Sequence, residues 1–234
     1  MQKTRALILV FFLQMFAGML FGQERYGLEI GPYAGKGFWK SRNFQVGPPQ
    51  ASPPINLGFA YEDKPIYGVR FNLLSNGYWG GELDYSYQQN TVTLTRPGFT
   101  SVPLEGGIHH FFYNEVFYPT RYRHTVTPFI MAGLGVAGYH LSDKTMARAL
   151  DPRGFGMGVL KSVDKRFIFN YGGGVKVPVS SHFGIRADIR HNFSDPPRYG
   201  LPKRSSNPAQ VVLPIGGKLQ SFDVSAGFYF YVLR

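Results

Sequence analysis

Charged residues in this chain recur at alternate positions, between apolar neighbours. Arg186, Asp188 and Arg190 alternate with Ile185, Ala187 and Ile189, and Glu82 and Asp84 alternate with Leu83 and Tyr85. Arg70 lies between Val69 and Phe71, Lys176 between Val175 and Val177, and Asp223 between Phe222 and Val224. With Glu29 and Glu105, these ten residues are the candidate site: four basic and six acidic side chains placed on one face of their segments. Side chains on a strand alternate between faces, so the charges share one side and the apolar residues the other. Mixed charges enclosed together would pair, because a buried unpaired charge is costly. The second chemistry open to the same set is a narrow ion path.

Three other patterns suggest chemistry and fail on context. Gly133–Gly138 (GLGVAG) matches G-x-G-x-x-G, but no amphipathic helix or returning parallel strand is legible after it, as a dinucleotide site requires. Closely packed, curved strands are the competing use of such glycines. His109 and His110 are neighbours, and on a strand they point apart and cannot hold one ion together. His191, Ser194 and Asp195 resemble the parts of a lipid-hydrolysing triad, yet they straddle a strand–loop junction without a Ser-centred motif. No catalytic residue, cofactor site or metal site is assigned, and the chain is read as a non-enzyme.

The elements that carry these residues are strands. Phe222, Val224, Ala226, Phe228, Phe230 and Val232 alternate with Asp223, Ser225, Gly227, Tyr229 and Tyr231 at the end of the chain. The same period appears around Leu28, over Tyr67–Leu73, Glu82–Tyr87, Phe167–Val177 and Phe183–Arg190. Segments 104–114 and 126–140 are apolar and Gly-rich, without a clear facing. The strand count is eight. Connections alternate long and short: about 36–65, then Ser75-Asn76-Gly77; 88–103, then 116–123; 141–165, then Val179-Ser180-Ser181; finally 194–218. Asn-Gly is a strong hairpin signal. In an up-and-down barrel this alternation puts four long loops at one end and three short turns at the other, the pattern of outer-membrane barrels.

Composition agrees. The 234 residues hold 29 Gly, 16% aromatic residues and no Cys, which excludes disulfides and thiolate metal sites. Lys3 and Arg5 precede an apolar stretch from Ala6 to Phe21, so residues 1–22 are read as a secretory signal and 23–234 as the barrel domain. The net charge of +11 invites a nucleic-acid reading. Sorted by position, the interior set is slightly acidic, and the long loops carry an excess of eight positive charges, which argues against it. Phe38, Trp39, Tyr78, Trp79, Tyr118 and Tyr122 lie near strand ends and are candidates for aromatic girdles.

Thr127–Tyr139 (TPFIMAGLGVAGY), Phe169–Lys176 (FNYGGGVK) and His182–Phe193 (HFGIRADIRHNF) resemble strands five to seven of the OmpA-like eight-stranded outer-membrane β-barrels. The resemblance implies an all-β, eight-stranded antiparallel up-and-down transmembrane barrel in the cell outer membrane of a Gram-negative-type bacterium. The resemblance is to the barrel domain alone; no following peptidoglycan-binding domain is expected, which is a departure from that family. The ending Tyr231-Val-Leu-Arg234 departs from the terminal aromatic residue usual in such barrels. The expected role is structural or surface interaction through basic external loops, with a narrow pore for a small solute or ion, or a lipid-modifying enzyme, as alternatives. The expected partners are outer-membrane lipid, lipopolysaccharide and the barrel-insertion machinery, with a monomeric chain, no cofactor and no nucleic acid.

Overall fold

The computed structural model describes residues 27–40, 42–46, 55–75, 77–95, 102–120, 126–150, 161–202 and 217–233. The expected signal peptide, Asn76, Tyr122 and Arg234 lie outside the described residues. Eight strands close the barrel: β1 (Gly27–Trp39), β4 (Lys64–Leu74), β5 (Trp79–Thr95), β6 (Val102–Phe117), β7 (Thr127–Leu141), β8 (Val163–Pro178), β9 (Phe183–Ser194) and β10 (Leu219–Leu233). Each pairs antiparallel with its neighbours, and β1–β10 pairing completes the ring. The first long connection is not all loop. It contains β2 (Arg42–Val46) and β3 (Ile55–Tyr61), a hairpin that β3 fastens to the far end of β5 through Gly58–Tyr61 and Val92–Thr95. The third contains a helix, α1 (Asp143–Leu150), whose first turn is capped by the Ser142 hydroxyl accepting from Thr145 N at 3.3 Å. A short helix therefore does follow the glycine motif, but Gly133–Gly138 lies within β7, bonded on both sides to antiparallel strands. That pairing leaves no phosphate-binding turn there. Among the described residues, no helix is long and apolar enough to cross a membrane.

The barrel has lipid-compatible side chains outside and polar ones inside. Phe71, Leu83, Phe111, Ile130, Leu134, Phe169, Ile185, Ile189, Val224 and Phe228 are all exposed on the outer face. On β9 the outward row runs from Phe183 to Phe193. Ten residue steps at about 3.3 Å, tilted about 40°, give a height of about 25 Å, the apolar thickness such barrels span. The ambiguous strands now have a phase. Ile108, His110, Phe112, Asn114 and Val116 of β6 face inward, as do Phe129, Met131, Ala137 and Tyr139 of β7.

Candidate functional site

The interior is filled in three layers. Near the short-turn end, Leu74, Val116, Tyr118, Phe129 and Met131 form an apolar cluster. Near the long-loop end, Tyr61, Val92, Leu104, Ile108, Phe112, Tyr139, Leu141, Ile168, Tyr199 and Leu219 form a second, with Trp39, Met146 and Leu201 packed against it. Between them lies a layer of buried charge.

Inward positions of six strands, β1, β4, β5, β8, β9 and β10, build that layer. Arg70 (β4) donates from Nε to Asp84 Oδ2 at 2.9 Å and makes a two-pronged pair with Asp188, at 2.8 and 3.1 Å. Its guanidinium lies 3.6 Å from the ring centre of Tyr33, whose hydroxyl donates to Asp84 Oδ1 at 2.9 Å. Arg186 bridges Asp188 (3.1 Å) and Glu82, and covers the Phe129 ring. Arg190 donates to Asp84 Oδ2 at 2.9 Å. A second group lies closer to the short turns: Lys176 donates to Glu29 Oε2 at 2.5 Å and to the Tyr118 hydroxyl at 2.9 Å, and Asn72 donates to the same two acceptors. Asp223 accepts from Asn192 Nδ2 at 2.6 Å. Low dielectric strengthens each of these bonds and makes an unmatched partner costly, so the neutral side chains count as much as the charges.

Nine of the ten residues singled out from sequence are buried within the barrel: Glu29, Arg70, Glu82, Asp84, Lys176, Arg186, Asp188, Arg190 and Asp223. Glu105 is a correction. It is exposed on the outer face of β6, because the inward phase of that strand falls on Leu104 and Gly106. The buried balance is thus five acidic residues against four basic. Two girdle candidates are also reassigned. Tyr118 is fully buried, and Trp39 turns inward, donating from Nε1 to Gln88 Oε1 at 2.9 Å. Phe38, Tyr78 and Trp79 are exposed. Sequence reasoning missed Tyr33, Asn72, Asn114, Asn170, Asn192 and Ser225, which complete the network. Their inward phase on polar-alternating strands was the available signal.

The triad candidates are separated by the wall. Ser194 faces inward, its hydroxyl 2.7 Å from that of Tyr139. His191 faces outward, stacked on Phe222 at 3.9 Å. They cannot act on one substrate. His109 and His110 likewise point apart, and among the described residues no three His, Asp or Glu side chains are placed to hold one metal ion.

A cap closes the long-loop end. After β9 the chain turns back through Tyr199, which takes a left-handed φ of 50°, and Gly200. Asp164 Oδ2 fixes this turn by accepting from the backbone N–H groups of Arg198 and Tyr199 at 2.6 and 2.8 Å. The Tyr199 ring is buried over the upper cluster, and burial pushes its phenol above the ordinary value.

An apolar wall of bilayer height around a paired-charge interior is the arrangement of a membrane-spanning barrel. A model of the outer membrane protein beta-barrel domain matches residues 6–230. The chain belongs to that family. The match identifies the broad family and not the OmpA-like group in particular. Among solved structures, the outer membrane protein OprG from Pseudomonas aeruginosa is similar at 14% identity with a TM-score of 0.53, over 90% of this chain and 95% of that one. Neisserial surface protein A is similar at 11% identity and a TM-score of 0.46, over 88% and 96%. No curated protein matches the sequence. The barrel is an outer-membrane protein, and likeness at this level extends to fold alone.

Proposed function

We propose that this barrel is a closed scaffold whose work is surface interaction, carried by its basic external loops, and not a pore. Its architecture stands beside the OmpA-like barrels, on the segments Thr127–Tyr139, Phe169–Lys176 and His182–Phe193. The observation that carries the reading is the stacked interior: an ion would have to cross the Tyr199-capped upper cluster, the Arg70–Asp84–Asp188–Arg186–Glu82 layer and the Tyr118–Phe129 cluster in turn. Paired charges worth more to each other than to a passing ion form a plug. Lys40, Lys64, Arg198 and Lys218 lie in or beside the long connections after β1 and β9, and with the further basic residues of those stretches of sequence they suit anionic glycans or the lipopolysaccharide surface. The chain works as a monomer after delivery by the barrel-insertion machinery, since all eight wall strands are paired and leave no edge in the bilayer.

Planar-bilayer recording on the purified protein is the test. The expected outcome is no stable conductance step above the lipid background. Large, long-lived openings would establish the pore alternative instead.

A further inference from the structure

On the outer wall, one row of cross-strand partners joins four strands. Tyr87 on β5 faces His109 on β6, His109 faces Gly138 on β7, and Gly138 faces Lys165 on β8. One outward position further from the membrane centre, His140 faces Gly107. The rings gather: His109 lies 4.9 Å from Tyr87 and 5.3 Å from His140, centre to centre. They do so over Gly107, where a Cβ would strike His140 and would come within 2.9 Å of the Tyr87 hydroxyl. Gly138 differs. A Cβ there would make only ordinary contacts, with His109 O at 3.9 Å and His109 Cβ at 4.0 Å, so a side chain fits on its outward side without a clash. The result is a niche with Gly138 as floor, the imidazoles on one side and exposed Lys165 on the other.

The height of this niche selects its occupant. Below it on the same strands stand Phe111, Val136 and Phe167, all exposed to the bilayer. Above it stands exposed Glu105, at the level of water. On β8, Lys165 is the one charge in the outward row, between exposed Phe167 and exposed Val163. The Tyr85 hydroxyl lies 2.8 Å from His109 Nδ1; when it donates there, Nε2 is left as the N–H donor. A cationic amine and an imidazole donor around a glycine floor at the chain–water boundary fit an anion carried on acyl chains. The geometry points to a binding site for the phosphate-bearing head group of an outer-leaflet lipid. Lys165 and His109 contact the phosphate, the group sits on Gly138 away from Glu105, and its chains run down past Val136 and Phe167. This site is on the wall, and it stands or falls independently of any ligand of the loops.

The experiment is native mass spectrometry of the full chain released from detergent after equilibration with diphosphorylated lipid A or its dephosphorylated form of equal acyl number. The wild type retains the phosphorylated lipid about tenfold more strongly, as loss of charge-assisted contacts implies. Gly138→Val fills the niche with a residue that suits a strand, and Lys165→Gln removes the charge. Both lose the preference while keeping the heat-modifiable migration of a closed barrel, and Ala34→Val, on the outer face of β1, keeps it. If Gly138→Val fails to fold, the double variant His109→Gln/Lys165→Gln gives the same reading. Equal retention of both lipids by the wild type, or undiminished preference in folded niche variants, would overturn the site.

Discussion

Asp188 holds the middle layer together, since it is gripped by Arg70 through two bonds and by Arg186 through a third, and it accepts from Ser225 at 3.1 Å. Asp188→Ala leaves two guanidinium groups short of an acceptor in a buried site. The expected cost is about 3–5 kcal/mol, read as a fall in the urea midpoint of the heat-modifiable band in vesicles. Asp188→Asn, which keeps the shape and part of the bonding, falls less. Tyr199 gives a pH prediction. Its phenol is raised in the folded state, so the neutral form stabilises the cap fully below the ordinary tyrosine range, about pH 10. That contribution is lost as pH rises through the higher folded value. Protease cleavage of the 195–202 segment therefore accelerates in strong alkali, and Tyr199→Phe abolishes that acceleration. At this scale much was legible: where polar and apolar residues alternate cleanly, as in Arg186–Arg190, facing followed from period two. Glu105 was misplaced for a physical reason. Around it Ile108, His109, His110, Phe111 and Phe112 give no contrast between faces, and at the top of β6 an outward charge meets water at no cost.

Two tyrosines show how strands are fitted to one another. Tyr33 lies across Gly68, its registered partner, and Tyr229 across Gly184. A Cβ at Gly68 would collide with the Tyr33 ring. Gly68→Val should displace that ring, costing the hydroxyl bond to Asp84 and the contact under Arg70 together. The expected loss is about 2–4 kcal/mol, with slower folding into vesicles, followed by gel migration over time. Gly81→Val on the outward face of β5 serves as the mild comparison. The hairpin of β2 and β3 was missed although Ile55, Leu57, Phe59 and Tyr61 alternate. Pro48, Pro49, Pro53 and Pro54 fall between its strands in the sequence, and a proline cluster reads equally as a long loop. Helix α1 was missed because eight residues offer little periodicity, and tertiary contact from Met146 and Thr145 holds it.

Closure governs behaviour at the scale of the whole molecule. Every wall strand has two neighbours, and the outer face between the rims is apolar. The purified chain should sediment as a monomer in detergent and aggregate when detergent is removed; a monodisperse species in plain buffer would contradict the outward facing of Phe167, Ile189 and Val224. Overall architecture was the most legible level, because loop alternation and strand period are imposed by the bilayer and recur along the whole sequence. The content of the loops was the least legible, since water accepts many backbone solutions equally.

The wall is not equally tall all round. β5 runs 17 residues and carries β3 and β2 beside its far end, whereas β9 stops at Ser194 after 12. At about 3.3 Å per residue step and a tilt of about 40°, β5 alone extends about 40 Å, well beyond the bilayer's apolar layer. Among the described residues, paired strand on the β5 side therefore reaches farther from the membrane than on the β9 side. On the proposed surface role, a large partner would meet the β2–β3 side first, and direction of approach would count beside charge.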